Sequence, residues 1–196
     1  MKRIIFATSN EGKMREIRAI MADSGYEVIS LKEAGVSVDI DENGTTFEEN
    51  AIIKASTIAK ATGELVLADD SGLEVDYMDK APGVYSARFL GEDTDYVVKN
   101  NYILEKLQGV PKEERSARFV CVIALCNPDG ICITRRATIE GYIGYEIRGE
   151  NGFGYDPIFM VDEYNKTTAE LSMEEKNKIS HRAKALRAIK EQLAKE

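Results

Sequence analysis

Apolar positions change period several times along the chain. Residues 2–7 form a short apolar run with two isoleucines that ends at Thr8 and Ser9, the pattern of a buried strand. A turn at Ser9-Asn10-Glu11-Gly12 follows. Met14, Ile17, Ala19, Ile20 and Met21 then fall on one helical stripe that stops near Gly25, and Tyr26 to Ile29 reads as a second strand. Residues 35–44 are irregular and acidic. Thr45 or Thr46 can cap the next helix, with Glu48 or Glu49 three positions on; Phe47, Ala51, Ala55, Ile58 and Ala59 line its inner face and Gly63 ends it. Leu65 to Ala68 is another buried strand. It leads into Asp69-Asp70-Ser71-Gly72, where the residue types permit a turn, and Leu73 to Tyr77 is extended again.

In the second half, Pro82-Gly83 marks a turn and residues 94–107 a helix. Arg115 to Cys126 alternates as a long strand, Asn127-Pro128-Asp129-Gly130 turns it, and Ile131 to Tyr142 returns as its hairpin partner. A glycine-rich stretch from Gly149 to Pro157 precedes a strand through Ile158-Phe159. The last helix has Ser180 as its N-cap candidate and Leu186, Ile189 and Leu193 as its core stripe. Strand–helix alternation followed by a long hairpin implies an α/β fold, a mixed sheet with helices against it and two lobes around a cleft. At 196 residues the chain suits a single domain, 1–196, rather than two independent ones.

Charge narrows the partners. The net charge of −8 repels a polyanion, which disfavours nucleic acid as partner but leaves room for a small anion in a local basic pocket. The N-terminal apolar run is too short for a signal peptide, and no run approaches the ~18 apolar residues of a membrane span, so no membrane role is expected. Cys121, Cys126 and Cys132 are odd in number without CxxC spacing. They read as buried, reduced cysteines, and the whole pattern fits a cytoplasmic protein.

Four segments carry candidate chemistry. Thr8-Ser9-Asn10-Glu11-Gly12-Lys13 joins a strand to a helix, where free N–H groups and the helix dipole favour phosphate oxygens. It is not a Walker A loop, since Ala7 and Met14 stand at two required positions; an ordinary turn with a solvated lysine is the plain alternative. Asp69-Asp70 ends a buried strand, where two adjacent carboxylates are costly unless a divalent cation joins them; Asp41, Glu42, Glu48 and Glu49 are available acids, and a solvated acidic turn is the plain alternative. In Asn151 to Pro157, glycines around Phe153 let backbone approach a flat ligand on which Phe153 or Tyr155 can stack, with Asp156 as an acceptor for a base edge. Ser180-His181-Arg182 places cations at a helix start, a mildly unfavourable position without an anionic or carbonyl-rich partner. With one histidine, a multi-histidine metal site is excluded.

Taken in order, A-T-S-N-E-G-K at 7–13, F-E-E-N-A-I-I-K-A at 47–55, A-D-D-S-G-L at 68–73, A-P-G-V-Y-S-A-R at 81–88, G-F-G-Y-D-P-I-F at 152–159 and E-K-N-K-I-S-H-R at 175–182 resemble the inosine triphosphate pyrophosphatase family, bacterial branch. The resemblance implies a long central mixed sheet flanked by helices, a deep substrate cleft between two lobes and a homodimer. It implies magnesium-dependent hydrolysis of ITP, dITP and XTP to monophosphate and pyrophosphate. Thr8, Ser9, Asn10, Glu11, Gly12 and Lys13 would hold the triphosphate and Lys54 would reach phosphate. Asp70 would be the catalytic carboxylate and a metal ligand, with Glu42, Asp69 and Glu49 as acidic partners. Ser71, Phe153, Gly154, Tyr155, Asp156, Lys176, His181 and Arg182 would contact substrate, the last two reading the base edge. Two rivals stand beside this reading: a Maf-like pyrophosphatase acting on pyrimidine or modified nucleotides, and a nucleotide-binding module without turnover.

Overall fold

The computed structural model describes residues 2–194. Its strands are β1 (Lys2–Phe6), β2 (Tyr26–Ser30), β3 (Val66–Val75), β4 (Ser116–Cys126), β5 (Cys132–Ile143), β6 (Phe159–Val161) and β7 (Lys166–Thr167). Its helices are α1 (Glu11–Met21), α2 (Phe47–Thr62), α3 (Tyr96–Lys106), α4 (Met173–Ile179) and α5 (His181–Leu193). The strands hydrogen-bond in the order β2-β1-β3-β4-β5-β6-β7. β1 is parallel to β2 and β3, whereas β5, β6 and β7 pair antiparallel, so the sheet is mixed as expected.

The chain forms two compact units. One takes the residues up to Asp70, Cys121–Ala137 and those from His181 on; the other takes Ser71–Val120 and Thr138–Ser180. The core of the first is Ile4, Phe6, Leu67, Cys121 and Ile123 of the sheet against Met14, Ile17 and Met21 of α1 and Leu186 and Ile189 of α5. In the second, Leu73, Val75, Phe119, Ile139, Ile143 and Phe159 pack with Ile103 and Leu107. α2 has the expected ends: Thr46 Oγ1 accepts the Glu49 N–H at 3.1 Å, and Gly63 closes the helix at φ +69°.

Two expectations are corrected. No turn interrupts Asp69-Asp70-Ser71-Gly72; β3 continues through it, because a buried, paired strand overrides local turn preference. The last helix, α5, begins directly after Ser180 as expected; the short α4 before it is additional, and Ser180 closes it by donating its N–H to Lys176 O at 2.8 Å. Cys126 and Cys132 are not reduced. They form a disulfide across the two ends of the β4–β5 hairpin, where the strands bring their Cα atoms to 4.2 Å; Cys121 lies outside it as a buried thiol. Among the described residues no helix is long and apolar enough to cross a membrane.

Candidate functional site

β3 presents its two adjacent acids to opposite sides, as strand alternation requires. Leu67 and Asp69 share the face that meets α1 and α5, and Asp70 meets α2.

Asp69 is 1% exposed and faces cations. Its Oδ2 lies 2.7 Å from Lys13 Nζ and 3.4 Å from Arg182 Nε. Burial alone would raise its pKa, but Lys13, Arg182 and Lys54 together drive it far below the usual carboxylate range. Arg182, 2% exposed, also binds the Glu16 carboxylate of α1, itself 5% exposed. A chain Glu16–Arg182–Asp69–Lys13 therefore links α1, α5 and the middle of β3. Arg182, expected as a reader of a base edge, is engaged here with two carboxylates; Asp69, expected as a metal partner, is here the anchor of two cations.

Asp70 has the opposite environment. Burial raises its pKa to about 6; Lys54 and a hydrogen bond from Asn50 only partly offset this, and Glu42 and Asp69 add to the rise. Its Oδ2 is buried and has no hydrogen-bond partner among the described residues. Lys54 Nζ bridges Glu42 Oε2 at 3.0 Å and the Asp69 carbonyl at 3.1 Å. Desolvation pulls its pKa down, but Asp69 and Glu42 push harder, so it is firmly an ammonium.

The Thr8–Lys13 loop is shaped by its own side chains. Thr8 Oγ1 accepts the Asn10 N–H at 3.1 Å, and Asn10, as N-cap of α1, accepts the Lys13 N–H at 3.1 Å. Ser9 and Glu11 are exposed and Gly12 is half-buried. The loop lies beyond the carboxyl end of β1, where ligands sit in parallel α/β sheets. A cavity of about 490 Å³ lined by Arg3, Glu33, Val38 and Glu64 takes none of these residues.

In the second unit Asp156 is 3% exposed and fully used. Its Oδ2 accepts the Phe153 N–H at 2.9 Å and Lys176 Nζ at 2.6 Å, and its Oδ1 accepts the Thr168 hydroxyl at 2.8 Å. It thus holds the loop rather than presenting an acceptor. Gly152 sits at φ +74°, and a Cβ there would lie 2.2 Å from Asp156 Oδ2. Phe153 is 37% exposed, with Lys176 Nζ 4.9 Å from its ring centre. Gly154 O accepts from Asn100, and Tyr155 is buried with its hydroxyl on Ser86 O at 2.6 Å. Ser71 is half-buried in β3, and His181 is 7% exposed at the start of α5.

Among the described residues no three acids, histidines or cysteines converge on a ready-made metal site. Magnesium does not require that: it keeps several waters and takes one or two carboxylates plus substrate phosphates. Asp70 with its unpaired oxygen and the half-buried Glu42 make such a donor set. Glu49 holds the start of its own helix, its Oε2 accepting both the N–H and the hydroxyl of Thr45. Sequence reasoning misses Glu16, which has no local signal because it meets Arg182 across 166 positions; Asn50, four residues before Lys54, is legible as sharing its helical face.

The sequence matches the model of the Ham1 family over residues 4–192. It is 54% identical over 189 residues to a dITP/XTP pyrophosphatase of Bacillus licheniformis, covering 96% of each chain, and 51% identical to one of Bacillus subtilis with the same coverage. Among solved structures it superposes on a HAM1 protein from Coxiella burnetii with a TM-score of 0.91 and 42% identity over the whole of both chains. For the Ham1 protein of Staphylococcus aureus the TM-score is 0.88, with 43% identity over 98% of each.

Proposed function

We propose, for a chain that belongs to the Ham1 family, that it hydrolyses non-standard purine nucleoside triphosphates, ITP, dITP and XTP, to the monophosphate and pyrophosphate. The observation that carries the mechanism is Asp70: a half-buried carboxylate in the middle of β3, its pKa raised to about 6, with its buried Oδ2 left without a hydrogen-bond partner among the described residues. Such a group is suited to accept a proton near neutral pH. Water attacks the α-phosphorus, its proton passes to Asp70, and the bond from the α-phosphorus to the bridging oxygen breaks as pyrophosphate leaves.

The surrounding residues bind and orient. The N–H groups at the start of α1 and the Lys13 ammonium receive phosphate oxygens, and Lys54 stabilises charge beside Asp70. Asp69 keeps Lys13 and Arg182 in place. Asp70 and Glu42 would hold magnesium, which when bound neutralises phosphate charge and polarises the phosphoryl group. Phe153 offers a ring for stacking on the base. Hypoxanthine and xanthine carry an acceptor at O6 where adenine carries an amino donor, so a donor such as His181 would satisfy the first two and oppose the third.

The test is pyrophosphate release from ITP, XTP, dITP, GTP and ATP, each with magnesium and with EDTA. Fast, magnesium-dependent release from ITP, dITP and XTP with little from ATP or GTP is expected. Single phosphate as product would move the attack to the γ-phosphorus and overturn the mechanism. A cytoplasmic homodimer completes the proposal. The exposed Val97 and Val98 on α3 supply apolar surface for association.

A further inference from the structure

The loop that carries Phe153 is held from one side by α3. Asn100 belongs to that helix and is 2% exposed. Its Nδ2 donates to the Gly154 carbonyl at 3.1 Å, across 54 positions of chain. This bond fixes which way the amide points, because the flipped orientation would set oxygen against oxygen. The other end of the amide gains nothing from burial: Asn100 Oδ1 is buried and has no hydrogen-bond partner among the described residues.

One helical turn earlier, Tyr96 occupies the same face of α3. Its ring stands edge-on to that of Tyr155, with 5.2 Å between centroids, and a Cβ at position 154 would lie 3.6 Å from it. The backbone after Phe153 is thus seated directly on α3. Before the ring, the Phe153 N–H is held by Asp156 Oδ2 at 2.9 Å; after it, the Gly154 carbonyl is held by Asn100. These two bonds set the backbone from which the 37% exposed ring projects. A buried amide that uses only part of its hydrogen-bonding capacity is a poor device for stability. What it fixes is the direction of one carbonyl.

We propose that Asn100 is a positioning residue for base recognition: by tying the Gly154 carbonyl to α3, it sets the angle at which the Phe153 ring meets the purine. Asn100 acts through Phe153. The inference rests on the pyrophosphatase reading, with Phe153 as its stacking surface. The distinguishing substitution is Asn100→Leu. It keeps the volume, removes the donor and also removes the unpaired oxygen, so the loss of one bond is offset by the loss of a buried unsatisfied acceptor. Asn100→Ala removes the same donor without branched apolar bulk and serves as the second variant.

The experiment is a double-mutant cycle of each Asn100 variant with Phe153→Ala. It is read as KM and kcat for ITP with magnesium, as the Kd of ITP in EDTA by calorimetry, and as Tm. Asn100→Leu alone is expected to raise KM and Kd roughly fivefold, with the smaller part of the effect in kcat, because stacking binds ground state and transition state alike. In the Phe153→Ala background the same substitution is expected to change KM and Kd by less than about twofold, since the ring it would misplace is gone. Equal fold-changes in the two backgrounds would overturn the positioning role, as would Asn100→Leu and Asn100→Ala variants whose KM and Kd match the wild type, or whose affinity falls only in step with Tm. A wild type that binds ITP but releases no pyrophosphate would defeat the pyrophosphatase reading, while the Kd cycle would still decide the role of Asn100.

Discussion

Each unit contains a buried aspartate paired with a lysine, and the two are handled differently. In the second unit both oxygens of Asp156 are used, by the Phe153 N–H, Lys176 and the Thr168 hydroxyl. In the first, Lys13 and Arg182 both meet Oδ2 of Asp69 and hold that acid ionised, while Asp70, next in the chain, has its pKa raised by burial. An acid held ionised by cations explains shape. An acid whose charged form is disfavoured by its surroundings is tolerated at a cost, and that cost points to chemistry.

The sharpest way to break this contrast is Asp70→Asn. It keeps the shape and the Asn50 contact but removes the base, so ITP turnover should fall by roughly a thousandfold or more. Circular dichroism should show the fold unchanged. Turnover near wild type would remove Asp70 from the reaction. Next in size is Asp156→Ala. It leaves Lys176, 7% exposed, without its carboxylate and frees the loop at Phe153, so unfolding free energy should drop by about 3–5 kcal/mol in a urea titration. A loss under about 1 kcal/mol would mean that the loop is not held by this pair.

The same contrast predicts opposite responses to pH. Asp69, with a depressed pKa, adds stability above the unfolded carboxylate pKa and loses it in acid. Asp70 has the reverse sign. Its folded pKa of about 6 lies above the ordinary aspartate value of 3.8, so the folded state binds the extra proton and stability falls as pH rises from about 4 to 6. At neutral pH the ionised Asp70 costs roughly 3 kcal/mol in the metal-free protein. Asp70→Asn should therefore raise Tm in EDTA at pH 7.5 and change it little at pH 4. Equal shifts at both pH values would refute the raised pKa.

How much of this was legible beforehand follows from the range of the interactions. The strand–helix alternation, α2 with Thr46 and Gly63 at its ends, and the Thr8–Lys13 turn are local patterns and were visible. The unbroken β3 was not, because Asp, Ser and Gly announce a turn locally and only sheet pairing overrides it. The disulfide needed the hairpin register that places Cys126 opposite Cys132. Glu16 and Arg182, 166 residues apart, meet only in the folded chain, and Asp156 looked like a free acceptor because nothing local shows Lys176 beneath it. Motif spacing located the acids; which of them remained available depended on partners that spacing does not contain.

The smallest effect concerns the exposed ring of the second unit's loop. Phe153 is 37% exposed, and its ring meets Lys176 Nζ at 4.9 Å, an arrangement in which the ring adds little to the core. A ring exposed at this level is useful for stacking on a base, which by alanine substitution is worth about 1–3 kcal/mol. Phe153→Ala should therefore raise KM for ITP roughly tenfold while kcat stays within about twofold, since stacking binds ground state and transition state alike. Tm should shift by only a degree or two, as Asp156 still holds the backbone N–H of residue 153. An unchanged KM would make the whole loop scaffold and erase the distinction between Phe153 and Asp156. A fall in kcat at constant KM would instead make the ring an orienting element, and the comparison between the units would then have to be redrawn around geometry rather than affinity.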